Sequence, residues 1–378
     1  MISAPGKILL LGGYAVLEYQ PALSVAVFGE DGRGADAGTK KGAHRLVSGE
    51  FGIDMRIDPG NFLAALQEAE ETHRFSVSAF STAMAYFSSI GHKPEPLEVS
   101  LENSPLFGGR DEKSGLGSSA ASTVALIAAI MDGNGFEVGK KREVIHKLGQ
   151  ISHALAAGSS GSGFDIATSA FGTIEYVRFD KNLIKVNEGM APEAFSEAVG
   201  RLVKMDWPRM SIKKTAIEPY GLLAFNIKGG KTSTISSVRA VRKLIEHAPE
   251  LYENLIRDQA LGEKEALEGL HRKDDQRIRD GMHSAREHQR LLSGWVGRIG
   301  MLNFDPIEPP ALTELIARAE ELPGIIAGRC PGSGGFDSVA FLTEGAPDAA
   351  KIREIGKELG LSLEQLKITV SAEGVKKV

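Results

Sequence analysis

Four short glycine clusters carry the residues whose types and spacing suggest chemistry. They are residues 3–7 (SAPGK) running into 11–14 (LGGY), 114–121 (SGLGSSAA), 161–165 (GSGFD) and 331–337 (PGSGGFD). Glycine lets a backbone approach phosphate oxygens, because no Cβ stands in the way and the amide N–H groups stay unshielded. Serine hydroxyls and aspartate carboxylates beside such turns add polar contacts. The second cluster is the most informative. Gly115 and Gly117 permit positive φ, and a small-residue apolar run starts straight after them. The orphan N–H groups and dipole of a helix beginning there form an anion site. Ser118 and Ser119 can contribute hydroxyls, and a serine oxygen here can reach Mg²⁺. An ordinary serine N-cap explains the same residues, and the cluster alone leaves both readings open.

Familiar nucleotide signatures do not fit. GlyGlyLysThr at 229–232 has the ending of a Walker A loop, but its first glycine would fall at Phe225. GSGFD lacks the third glycine of a dinucleotide fingerprint, and no strand leads directly into it. Asp165 reads either as the cap of the helix running into IATSAF or as a carboxylate facing a phosphoryl acceptor. Lys7 and Lys113 are either surface charges or cations aimed into a site. The nine histidines are scattered without metal-ligand spacing, and His153, near the third cluster, reads as structural. The single cysteine, Cys330, excludes a disulfide framework and a cysteine metal cluster, and it reads as a small core hydrophobe.

These loops need elements to position them. Residues 7–12 and 22–28 read as short buried strands, 95–101 as an alternating strand, 173–179 and 220–228 as further strands. Residues 60–72 and 76–90 have helical periodicity, 118–132 reads as a helix buried all round, and 139–157 as an amphipathic one. Residues 29–49 read as a mobile loop or a turn-rich hairpin. Residues 187–211 hold two prolines and no clear period, so the domain boundary falls near 205. That gives an N-terminal domain over 1–205 and a C-terminal domain over 206–378. The charged helices between about 232 and 298 read as solvated faces. The irregular alternation favours α+β over a doubly wound sheet.

Composition supports an ordinary globular protein of 378 residues with 44 basic and 49 acidic side chains. The net charge of −5 argues against a nucleic-acid footprint. No apolar run is long enough for a transmembrane helix. Residues 8–17 imitate a signal-peptide core, but Pro5 and the central Gly-Gly pair fit a strand and a tight turn better. The expectation is a cytoplasmic protein without nucleic-acid or membrane partners, either a monomer or a homodimer.

Taken together, SAPGKILLLGGYAVLE, SGLGSSAAST and CPGSGGFDSVAFL resemble the three motifs of the GHMP kinases, in the family's order and across nearly the whole chain. Tyr14 in GlyGlyTyr, the segment GSGFDIATSAFGTIEYVRF (161–179), IEPPALTELI (307–316) and KGGKTST (228–234) resemble the branch that phosphorylates phosphomevalonate. The resemblance implies a two-domain α+β fold, the first domain like the second domain of ribosomal protein S5 and the second a ferredoxin-like sandwich. It implies transfer from Mg-ATP to 5-phosphomevalonate, giving 5-diphosphomevalonate. It assigns Gly115, Leu116, Gly117, Ser118 and Ser119 to the ATP phosphates, with Ser119 as the Mg²⁺ ligand. Lys7, Lys113 and Asp165 become catalytic, and Tyr14, Ser160, Ser162, Arg178, Ser333, Gly334 and Gly335 become substrate contacts. Two departures stand out. Ser159 replaces a lysine common in relatives, and Ala154 occupies the place of a glutamate that helps bind Mg²⁺ in mevalonate kinases.

Overall fold

The computed structural model describes residues 1–107, 114–229, 234–299 and 306–378. Its strands are β1 (Ile2–Ala4), β2 (Gly6–Leu11), β3 (Ala22–Gly29), β4 (Ala35–Lys41), β5 (Arg45–Ser48), β6 (Ile53–Arg56), β7 (Leu97–Asn103), β8 (Ile174–Val177) and β9 (Ser211–Lys214) in the first half. The second half adds β10 (Gly221–Ile227), β11 (Ile325–Arg329), β12 (Ser338–Thr343), β13 (Leu363–Gln365), β14 (Ile368–Ser371) and β15 (Lys376–Lys377). The helices are α1 (Phe62–Glu68), α2 (Arg74–Ser89), α3 (Ser118–Gly133), α4 (Arg142–Ala157), α5 (Phe164–Phe171), α6 (Pro192–Lys204), α7 (Thr234–His247), α8 (Pro249–Arg272), α9 (Asp275–Arg298), α10 (Pro310–Ala319) and α11 (Ala349–Glu358).

Three sheets organise these elements. One has the order β15-β1-β4-β7-β5-β6, a second β14-β3-β8-β9 with β2 also pairing β3, and a third β11-β12-β10-β13. Strand β3 is buried along its whole length, as its apolar run requires. The tail comes back to the first half, with β14 antiparallel to β3 and β15 antiparallel to β1. The main core lies around α3, which packs on β1, β4 and β7 on one side and on α2 and α4 on the other. Ala120 through Met131 are all buried, so this helix is apolar all round because it has no solvent face. A second core lies between the third sheet and the helices α10 and α11.

Several elements differ from the sequence reading. Residues 29–49 form β4 and β5 rather than a loop alone. The helix expected over 60–72 stops at Glu68. Residues 187–211 contain α6, whose buried Phe195, Val199, Leu202 and Val203 follow helical spacing. Pro192 reads as a breaker in sequence but sits in the first turn, where its fixed φ suits a helix start. The charged helices are not wholly solvated. Helices α8 and α9 form a hairpin that meets at Gly262, Gly269 and Gly281, where a Cβ would strike the facing backbone. They bury Gln259, Glu263, Arg286 and Gln289.

Candidate active site

Lys7 is placed by β2, in register with Ala26 of β3. Its backbone N–H donates to the Leu116 carbonyl at 2.8 Å, and its Nζ donates to the Gly115 carbonyl at 2.7 Å. One residue therefore pins two consecutive carbonyls of the second glycine cluster. In a trans peptide the N–H lies opposite the carbonyl it follows, so the amides of Leu116 and Gly117 face away from Lys7. The cap of α3 is Gly117, in the left-handed region at φ 76°, and no side chain caps the helix. Ser118 and Ser119 thus occupy the first helical turn rather than the cap, and both are half-buried. Their N–H groups have no partner within the helix, which leaves an electropositive cradle.

The carboxylates of Asp165 and Asp337 both bear on the Lys7 ammonium. Burial pushes the Lys7 pKa below the ordinary lysine value, and the two carboxylates oppose that shift. The ammonium also lies 5.7 Å from the Phe164 ring centroid. Asp165 stands in the first turn of α5, behind a Gly163 cap, so it does not cap that helix. One of its oxygens accepts the Ile166 N–H at 2.9 Å.

The loop leading to Asp165 is held by its carbonyls. Arg178 Nη2 donates to Gly161 O at 2.8 Å, Tyr176 Oη to Ser162 O at 3.0 Å and Gln150 Nε2 to Gly163 O at 2.6 Å. Arg178 is 4% exposed, and its other recorded hydrogen bond goes to Leu17 O at 3.2 Å. No carboxylate forms a salt bridge with it among the described residues. Its guanidinium is a buried charge that donates to carbonyls and lies 5.7 Å from the Tyr19 ring centroid, without a carboxylate to neutralise it, a condition that favours a bound anion nearby. The Ser160 hydroxyl is buried without a partner among the described residues, while Ser162 is half-buried.

The fourth cluster joins the same region from the second half. Tyr14 is 2% exposed and its hydroxyl donates to Ser333 O at 3.2 Å. Burial pushes the Tyr14 pKa well up. Gly335 N–H donates to Ile307 O at 2.9 Å, and a Cβ on Gly334 would overlap that same carbonyl. The adjoining LGGY turn is not a phosphate loop. Gln259 Nε2 donates to Gly12 O at 3.0 Å, Gln289 packs on Gly13, and Arg329 Nη1 donates to Leu10 O at 2.7 Å. Tyr14 and Ala15 enter an apolar cluster with α7, α8 and α9. These glycines admit the other half of the molecule rather than a ligand.

Lys7, Gly115, Leu116, Gly117 and Asp165 are therefore brought together, with Ser118 and Ser119 at the adjoining helix start. Arg178, Ser160 and Ser162 gather at the loop before Asp165, and Tyr14 meets Ser333. Lys113 and residues 230–233 of KGGKTST lie outside the described residues. Asp337 escaped the sequence reading, although Gly-Phe-Asp recurs at 163–165 and 335–337 and both aspartates converge on Lys7. Ala154 is buried on α4 within the main core, so that position offers no metal ligand. His153 packs against Phe75 with the rings tilted at 41°, and Cys330 is buried, with burial pushing its thiol pKa up.

Among the described residues, no group of three or more His, Cys, Asp or Glu is placed to hold a metal. A Mg²⁺ that arrives on a nucleotide needs only one or two protein oxygens, since phosphates and water fill the rest. The Ser119 hydroxyl at this electropositive helix start suits that limited demand. Among the described residues no helix is long and apolar enough to cross a membrane.

Residues 78–173 match the family model for the GHMP kinases N terminal domain, and residues 266–360 match that for GHMP kinases C terminal. A phosphomevalonate kinase from Candida albicans is 29% identical, over 90% of this chain and 88% of its own length. One from Gibberella zeae is 26% identical, over 99% and 96% respectively. The Streptococcus pneumoniae phosphomevalonate kinase, solved in complex with phosphomevalonate and AMPPNP, superposes with a TM-score of 0.72 at 18% identity. That superposition covers 98% of this chain and 100% of the other.

Proposed function

The chain belongs to the GHMP kinases, and on that premise we propose that it transfers the γ-phosphoryl group of ATP to 5-phosphomevalonate, giving ADP and 5-diphosphomevalonate. The observation that carries the reading at the site is the Lys7 ammonium, 2.7 Å from Gly115 O and opposed by Asp165 and Asp337. In this reading the amides of residues 115–119 hold the phosphate chain and the Lys7 charge acts on its terminal phosphoryl group.

An acceptor phosphate oxygen attacks the γ-phosphorus, the bond to the ADP oxygen breaks, and no proton has to move. A phosphate monoester has its second pKa near 6, so at pH 7 the acceptor is already mostly ionised. A strong general base is unnecessary. The loose transition state of phosphoryl transfer needs positioning and charge stabilisation instead. Lys7, joined by Lys113, screens the repulsion between two anionic substrates. Asp165 orients the Lys7 ammonium. Arg178 supports the loop of Ser160 and Ser162 and supplies the positive charge that Ser159 lacks. Ser333, Gly334 and Gly335 close the phosphate end, with Tyr14 holding Ser333. Ser119 would hold a Mg²⁺ arriving with ATP, which would supply neutralisation of phosphate charge. The composition and the absence of a disulfide framework support a cytoplasmic enzyme.

Phosphorus NMR of a reaction mixture tests the reading. The expected product shows two coupled phosphorus resonances of a diphosphate ester. A new monophosphate ester formed from mevalonate, or inorganic phosphate with carbon dioxide from 5-diphosphomevalonate, would move the chain to another branch of the family.

A further inference from the structure

The segment 307–310 (IEPP) takes no part in the proposed chemistry, yet its backbone is fixed from several directions. Ile307 N–H donates to Ser293 Oγ of α9 at 3.1 Å. Glu308 is 5% exposed and accepts three charge-assisted hydrogen bonds from the same helix. Arg286 gives two of them, from Nε and Nη2, each at 2.8 Å, and Arg290 Nη1 gives the third at 3.0 Å. Arg286 also reaches Glu320, whose same oxygen takes the Gly328 N–H of β11 at 2.8 Å. Burial raises the Glu308 pKa on its own, but the two arginines outweigh it and hold the carboxyl below its usual range.

What this network holds in place is the Ile307 carbonyl. Gly335 N–H bonds to it, and Gly334 packs against it at φ 73°, where a Cβ would overlap it. Two residues beyond Gly335, the chain brings the Asp337 carboxylate close enough to act electrostatically on Lys7. The next residue, Ser338, lies beside Gly115. On the other side of the loop, Tyr14 holds Ser333. A buried ion pair contributes little net stability against an apolar substitute, but its directional bonds fix a register.

We propose that Glu308 is a positioning residue: its pairs with Arg286 and Arg290 fix the Ile307 carbonyl, and that carbonyl sets where loop 331–337 places Asp337 against Lys7. The effect on turnover rests on the phosphoryl-transfer reading; the effect on the loop does not.

Two variants test it. Glu308→Gln removes the charge, and Ser293→Ala removes only the acceptor for Ile307 N–H and leaves the ion pairs intact. Hydrogen exchange in the peptide spanning 331–337, without nucleotide or acceptor, should quicken about tenfold in Glu308→Gln and less in Ser293→Ala. With Mg-ATP and 5-phosphomevalonate, kcat should fall roughly 10²-fold in Glu308→Gln while KM for ATP stays within about threefold. Lower melting temperatures with unchanged exchange at 331–337 and unchanged kcat would overturn the proposal and leave Glu308 a purely stabilising residue. Should Glu308→Gln fail to fold, unchanged exchange in Ser293→Ala overturns it alone. A native enzyme inactive toward 5-phosphomevalonate would refute the acceptor reading, and the exchange result would still decide for Glu308.

Discussion

Replacing Lys7 by methionine removes the charge from the site while keeping an unbranched stem. Methionine still fills the space beside Gly117, where a Cβ would stand only 3.0 Å from Lys7 Cε. The lost group is an ammonium 2.7 Å from Gly115 O, at the turn proposed to hold the phosphates. A transferring phosphoryl oxygen in contact with that ammonium would lie about 4 Å from it. At an effective dielectric constant of about 20, one pair of unit charges at that separation is worth about 4 kcal/mol. Lost from the transition state alone, that is roughly a thousandfold in rate. Asp165→Asn keeps the volume and the oxygen that accepts the Ile166 N–H, and removes only the carboxylate charge. Its loss should be nearer tenfold, because in this account the carboxylate orients Lys7 and takes no proton. Rapid-quench measurement of ADP formation in a single turnover separates chemistry from product release, and melting temperatures control for folding. Asp165→Asn falling far below Lys7→Met would refute the reasoning. It would assign Asp165 the role of base, and the acceptor would then be an alcohol.

Other perturbations probe the scaffold. Gly117→Ala places a Cβ against Lys7 in a left-handed backbone position at φ 76°, so kcat should drop at least about tenfold by the same assay. Glu263→Ala strands Arg329, a pair 2% and 1% exposed, and should cost about 3–5 kcal/mol in urea unfolding. Glu263→Leu combined with Arg329→Met should recover most of that loss, and a single-variant cost under about 1 kcal/mol would contradict the account. His146 is buried, and burial, helped by Lys147, lowers its pKa to about 3. The unfolded chain takes up this proton below about pH 6.5 while the folded protein stays neutral there. Stability should therefore fall by about 1.4 kcal/mol per pH unit from this group as pH drops from 6.5 towards 3. His146→Gln should flatten that part of the stability curve, and an unchanged slope would show that His146 does not titrate on unfolding.

Much of the frame was legible because burial leaves plain marks. The apolar runs of β2, β3 and β10 and the small-residue run of α3 have no reading as exposed segments. The pairing of Lys7 with the second glycine turn was not legible, because it depends on β2 passing beneath residues more than a hundred positions away. The LGGY turn looked like a phosphate loop for the same reason. Its actual neighbours, Gln259, Gln289 and Arg329, lie in the other half of the chain. Helix α6 was hidden by Pro192, a residue that breaks helices in their interior and starts them at their first turn. Ser118 looked like a cap because serine caps by side chain, whereas here the left-handed Gly117 ends the loop. Asp337 carried a signal, the repeated Gly-Phe-Asp, but nothing in one dimension shows two such triplets facing one lysine.

The most direct test of the central claim is ADP release by the purified protein with Mg-ATP and three acceptors in parallel: mevalonate, 5-phosphomevalonate and 5-diphosphomevalonate. The account predicts turnover with 5-phosphomevalonate alone, falling when Lys7 or Arg178 is neutralised. Turnover with mevalonate or 5-diphosphomevalonate in its place would contradict it, since the site would then be selecting a different number of phosphates.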